Sequence, residues 1–311
     1  MRRFVPYIKI AFSLCIILIL VWKLDHASVI NILKLAEVYL LFAASLVFFM
    51  GQVLSARRYQ ILVTISNGQI SFFYSLRIHF IGLFFNQILP SGMGGDVVKG
   101  IYASAILSIQ QATMSVIADR AYGLVIMCLL ILLLGPCYYS LLDNQRIFYL
   151  LMLMGGAGVA WVPIGIFGFY ILKSYFIIFY EGIVKYAWVY YIQSFLEYFR
   201  KSLFLIYSVE LFAISLVIHF SGIAAYFLIA LALGVDASFI SYSLMVPLVF
   251  LFALAPISIA GWGIREASSI WLLGQIGATS ELAFAISILF GLMLIFVSLP
   301  GMVLFATSKS Q

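Results

Sequence analysis

The sequence predicts an all-α fold: a polytopic membrane helical bundle of about seven to nine transmembrane helices, with broken or re-entrant segments and an inverted internal repeat. Three observations predict it. The chain of 311 residues is 65% hydrophobic and only 9% charged, whereas a soluble domain needs roughly 25% charged residues to cover its surface. Lipid is therefore its solvent. Apolar runs of spanning length, about 20 residues, recur along the chain. Two shorter runs, in opposite halves, break at Pro and Gly beside ionisable residues, a pattern that points to a midplane site between repeats.

The first apolar run, 5–23, follows Arg2 and Arg3. No small-residue cleavage site precedes Lys23-Leu24-Asp25, so the run reads as a retained helix and not as a signal peptide. Further spans are expected at 37–55, 121–139, 148–172, 203–221, 239–257 and 282–306. The runs 78–89, 97–112 and 262–278 are too short or too broken for straight spans, and 222–235 either continues its neighbour or lies at the interface. Gly155-Gly156-Ala157-Gly158 offers a small-residue surface for close helix packing. Segment 173–202 is dense in aromatics, and Glu181/Lys185 and Glu197/Lys201 stand four apart in the favoured helical order. It reads as an interfacial connector or as an extension of the flanking helices. The chain is thus one integral membrane domain, 1–311, with a first half 1–172, a connector 173–202 and a second half 203–311.

The formal charge of +6 does not imply a nucleic-acid partner, because the basic residues are spread among loops as topology signals. With the N-terminus in the cytoplasm, ten Lys and Arg fall on the inner side, Arg57 and Arg58 among them, and three on the outer. Cys15, Cys128 and Cys137 lie in apolar segments without metal-ligand spacing, so no metal and no cofactor is expected.

Ionisable residues inside a bilayer are costly and therefore informative. The first cluster is Leu89-Pro90-Ser91-Gly92-Met93-Gly94-Gly95-Asp96-Val97-Val98-Lys99. Its glycines permit unusual backbone and close approach, Asp96 opens a new apolar run, and Lys99 follows on the same helix face. The second is Pro256-Ile257-Ser258-Ile259-Ala260-Gly261-Trp262-Gly263-Ile264-Arg265-Glu266. Both read as broken helices, and irregular backbone at that depth is tolerated only within protein or beside a water-filled cavity. Asp119-Arg120, at the expected start of helix 121–139, is either an interfacial ion pair or part of that cavity. Glu210, in the middle of 203–221, must pair across helices, face water or be protonated. Asn86 is a headgroup contact or a hydrogen-bond partner of the broken backbone, as is Gln87. His79 and His219 read as packing residues.

Taken in order, the Leu89–Lys99 block, Asp119-Arg120-x-x-Gly123-Leu124 and Pro256-x-Ser258-x-x-Gly261-x-Gly263-x-Arg265-Glu266 resemble the flippase-like membrane domain of lysylphosphatidylglycerol synthases. The likeness covers most of the chain. It implies movement of a lipid, or a lipid-linked headgroup, between leaflets, and it places Asp96, Arg120, Arg265 and Glu266 in or near a headgroup cavity. The chain ends at Gln311, just after the last apolar run, so the synthases' aminoacyl transfer is not expected and the protein is not expected to be an enzyme.

The leading expectation is a flippase or scramblase for a phospholipid, isoprenoid-linked lipid or glycolipid in the cell membrane. Lys99, Arg120 and Arg265 would attract a phosphate, helped by amides at the broken helix ends, while Asp96 and Glu266 would hold those bases in place or read a cationic group. No Walker-type nucleotide motif is present. The alternatives are an intramembrane lipid-modifying transferase, for which Ser91 and Ser258 near acids are a weak signal, and a membrane subunit that docks a lipid- or glycan-pathway enzyme through 173–202.

Overall fold

A computed structural model describes residues 5–89, 93–139, 148–149, 151–160, 197–198, 201, 207–235, 238–255 and 258–307. Every regular element among them is helical. Pro90, Ser91, Gly92, Pro256 and nearly all of the 173–202 connector lie outside the described residues.

Helix α1 (Val5–Lys23) coincides with the first expected span. Asp25 then caps α2 (His26–Lys34), accepting hydrogen bonds from Ala27 N at 3.0 Å and Ser28 Oγ at 2.6 Å. The two helices meet at 93°, so an α1 that crosses the membrane leaves α2 along its surface. Helices α3 (Val38–Ile65), α6 (Ile109–Leu134), α8 (Ser208–Ala232) and α11 (Ser280–Ala306) are long and apolar enough to cross alone. Helices α4 (Phe72–Ile88), α5 (Gly94–Ser104), α9 (Phe239–Ala253) and α10 (Ile264–Gly274) are shorter. Helix α7 (Leu151–Ala160) packs on α6 through Gly155 and Gly158, which meet Cys128 and Leu132, while Gly156 faces open space.

Several boundaries differ from those read in the sequence. The piece 222–235 mostly continues α8. The run 97–112 is two elements, because Ser108 forms a capping box with Gln111 and starts a new helix. Asp119-Arg120 therefore stands in the middle of α6 and not at a helix start, which rules out the interfacial reading of the pair.

The short helices come in two broken pairs. Helix α4 runs about 25 Å at 1.5 Å per residue, and α5 then folds back along it. Tyr74 Oη donates to Tyr102 O at 2.6 Å near one end of the hairpin, and Gly95 N donates to Asn86 Oδ1 at 2.8 Å near the other. Gly95 lies so close to the backbone of Gly82 that no Cβ would fit. The second break brings α10 against α9 through positive-φ backbone at Ala260, Gly261 and Gly263 (φ 49°, 80° and 86°), which the two glycines adopt without steric cost and the alanine does not.

The order α3–α4–α5–α6 recurs as α8–α9–α10–α11. Helix lengths are 28, 17, 11 and 26 residues in the first set and 25, 15, 11 and 27 in the second. Ser71 and Ser238 stand at equivalent N-caps, as do Ser108 and Thr279. The packing exchanges accordingly: α4 on α11 has its counterpart in α9 on α6, and α3 on α6 in α8 on α11. Helices α3 and α8 pack antiparallel. Glu37 N donates to Ala232 O at 2.9 Å, Gly51 meets Ser221 halfway along, and Arg58 reaches Ser215 at 3.2 Å. Gly51 and Ser221 occupy equivalent positions in the two units, so the pseudo-two-fold axis passes between them, across the helices. This is the inverted repeat, carried by 38–134 and 208–306.

Candidate functional site

A cavity of about 380 Å³ lies at the centre of the two units, lined from α3, α4, α5, α6, α8, α9, the second break, α10 and α11. Its walls carry Arg58, Lys99, Arg120 and Arg265, together with Asp96 and Asp119.

Asp119 is buried between two cations, with Arg58 Nε at 2.8 Å from one carboxylate oxygen and Lys99 Nζ at 2.9 Å from the other. Lys99 also lies 3.7 Å from the centre of the Tyr59 ring. Removing such charges from water costs several kcal/mol per ion, and the cluster offsets that cost by pairing while keeping one net positive charge. Nearer the opening, Arg120 Nε donates to Asp96 Oδ2 at 2.5 Å, the two side chains being 40% and 18% exposed. His79 lines the same wall, 3.2 Å from Gln52.

In the second unit, Glu266 accepts from Arg265 Nη2 at 2.7 Å, Ser287 Oγ at 3.0 Å and Gly263 N at 2.5 Å. Arg265 also lies over the Trp262 ring, 4.7 Å from its centre. Glu266 is wholly buried and holds Arg265 from behind without lining the cavity. Asp96 and Glu266 are both the third residue of a returning helix, where a carboxylate faces the positive helix end. The cation beside each arrives differently. Arg120 comes from α6, whereas its equivalent on α11 is Gly291, and the Arg265 guanidinium fills the space that a side chain there would take.

Of the residues singled out in the sequence, Asn86, Asp96, Lys99, Asp119, Arg120, Gly261 and Arg265 line the cavity. Gly94, Gly95 and Gly263 shape the helix starts beneath it. Pro90, Gly92 and Pro256 lie outside the described residues. Glu210 does not belong to the cavity. It sits in the first turn of α8 and pairs with Arg57 at 3.1 Å, both side chains over 40% exposed. Arg58, which reads in the sequence only as a topology signal beside Arg57, is a cavity residue. His79 and His219, which read as packing residues, both face the cavity, His219 with a ring nitrogen 2.8 Å from Gly123 O.

An inverted helical repeat, two broken helix pairs and a charged central cavity define a multi-pass membrane protein built around an internal polar site. Residues 7–301 match the lysylphosphatidylglycerol synthase TM region, and the chain belongs to that family. It is 26% identical over 162 residues to the UPF0104 membrane protein PH1989 of Pyrococcus horikoshii, a match covering 51% of this chain and 47% of that relative. The chain therefore aligns with about half the length of this curated relative. No solved structure matches it.

Proposed function

We propose that the protein moves a phosphate-bearing lipid headgroup between leaflets without altering it covalently, as a flippase or scramblase. The observation that carries this reading is the balance of charge at the cavity. Four cations line it, and with the carboxylate of Glu266 behind Arg265 they face three acids, a net positive site inside a membrane bundle. Such a site favours a phosphate through charge-assisted hydrogen bonds. Lipid tails would remain in the bilayer while the headgroup passes, with the N-terminus on the cytoplasmic side of the cell membrane.

The test is headgroup translocation in proteoliposomes. Phosphatidylglycerol labelled on one acyl chain with a dithionite-sensitive fluorophore should cross faster with protein than in empty vesicles. Asp96→Asn and Arg265→Ala should each slow it about tenfold, the loss of a charge-assisted contact. Wild-type rates equal to those of empty vesicles across anionic, zwitterionic and glycosylated lipids would sink the proposal.

A further inference from the structure

The internal two-fold relates the cavity's walls to one another, and equivalent positions carry opposite chemistry. Counted from the matching N-caps Ser71 and Ser238, Asn86 corresponds to Ala253 and Gln87 to Leu254. Counted from Ser108 and Thr279, Asp119 corresponds to Phe290 and Gly123 to Leu294. All eight residues line the cavity. Lys99, sixth in α5, has Ser269 as its equivalent in α10. The first unit's wall thus carries most of the polar and charged lining, beside Phe48, Leu83, Leu124 and Met127, and the second unit's wall is apolar apart from His219 and Arg265. Its one lining cation, Arg265, is neutralised by Glu266, whereas on the first wall Arg58, Lys99 and Arg120 outnumber Asp96 and Asp119 by one. Gln87 Oε1, on the first wall, is buried without a partner.

We infer that the cavity takes an amphiphile in one fixed orientation. The phosphate lies on the first-unit wall against Lys99 and Arg58, and the apolar stem next to it runs over Phe250, Leu254 and Leu294 of the second. The inference rests on the proposed lipid-moving function and adds which wall reads which part of the lipid. A site for a free phosphate or a soluble phosphate ester would gain nothing from an apolar wall. A site for a hydrocarbon alone would not bury a net positive cluster opposite it.

The test uses the full chain in phosphatidylcholine nanodiscs, with phosphatidic acid carrying a diazirine near the glycerol end of one acyl chain. After irradiation, peptide mass spectrometry should find cavity cross-links on 250–254 and 290–294 and not on 83–87. Lys99→Gln should lower those cross-links about tenfold, the loss of one charged contact. Leu254→Gln, which copies the first wall onto a half-exposed position, should weaken labelling of its own wall with the fold retained. Equal labelling of both walls, labelling of α4 in preference, or cross-links confined to the outer surface would overturn the inference. Translocation without oriented cross-links would refute the orientation alone. Oriented cross-links without translocation would refute only the transport reading.

Discussion

Asp119 shows what a single buried carboxylate does here. It neutralises one of two cations that approach it from different helices, so Asp119→Asn leaves Arg58 and Lys99 facing each other with no anion. Breaking a buried ionic cluster in this way costs about 3–5 kcal/mol, and unfolding in detergent micelles should show a loss of that size. The double variant Asp119→Asn/Lys99→Met should recover part of it. Arg57→Ala makes the contrast. Its partner Glu210 and Arg57 itself are both over 40% exposed, and exposed pairs are worth about 0–1 kcal/mol, so the same measurement should barely move. The sequence offers no way to separate these neighbours. Arg57 and Arg58 are adjacent cations near the end of an apolar run, and what distinguishes them is a carboxylate 61 positions away that only the fold brings to Arg58.

At the scale of the element, the re-entrant hairpins depend on backbone approaching backbone. A methyl group on Gly95 would meet the carbonyl of Gly82, and neither backbone can give way cheaply. Gly95→Ala should therefore destabilise the protein by about 1–3 kcal/mol, seen as a lower midpoint of thermal unfolding. Gly156→Ala, which meets nothing, should be neutral or stabilise by about 0.5–1 kcal/mol through helix propensity. The breaks themselves were legible in the sequence, because Pro and Gly beside charge leave few alternatives inside a membrane. The helix starts were not. Ser108 and Gln111 carry a capping signal inside the run 97–112, and hydropathy smooths over it, so a helix start at 121 puts Asp119-Arg120 at an interface.

For the whole molecule, the antiparallel contact of α3 with α8 places the end of α3 and the end of α8 at opposite ends of the bundle. In a cysteine-free background, Gln69→Cys and Ser238→Cys should react with an impermeant maleimide from opposite sides of the membrane. Labelling of both from one side would contradict the inverted arrangement. The repeat was visible in the sequence only as two Pro/Gly breaks. Its extent lies in helix lengths, exchanged packing and a few matching Ser and Thr caps, which leave little trace in hydropathy. At the cavity the two units differ in chemistry: Asn86, Gln87 and Asp119 correspond to Ala253, Leu254 and Phe290 across the axis.

The exchange of Arg120 for Gly291, with Arg265 supplying the guanidinium instead, separates a charge's address in space from its address in the chain. If the address in space is what the cavity uses, the arginine is portable. Arg265→Ala should slow translocation in proteoliposomes about tenfold, and adding Gly291→Arg to that variant should restore part of it, with the charge now delivered from α11 as Arg120 delivers its own from α6. A column-by-column comparison of the two units would score this position as lost, although the guanidinium never left the carboxylate it serves.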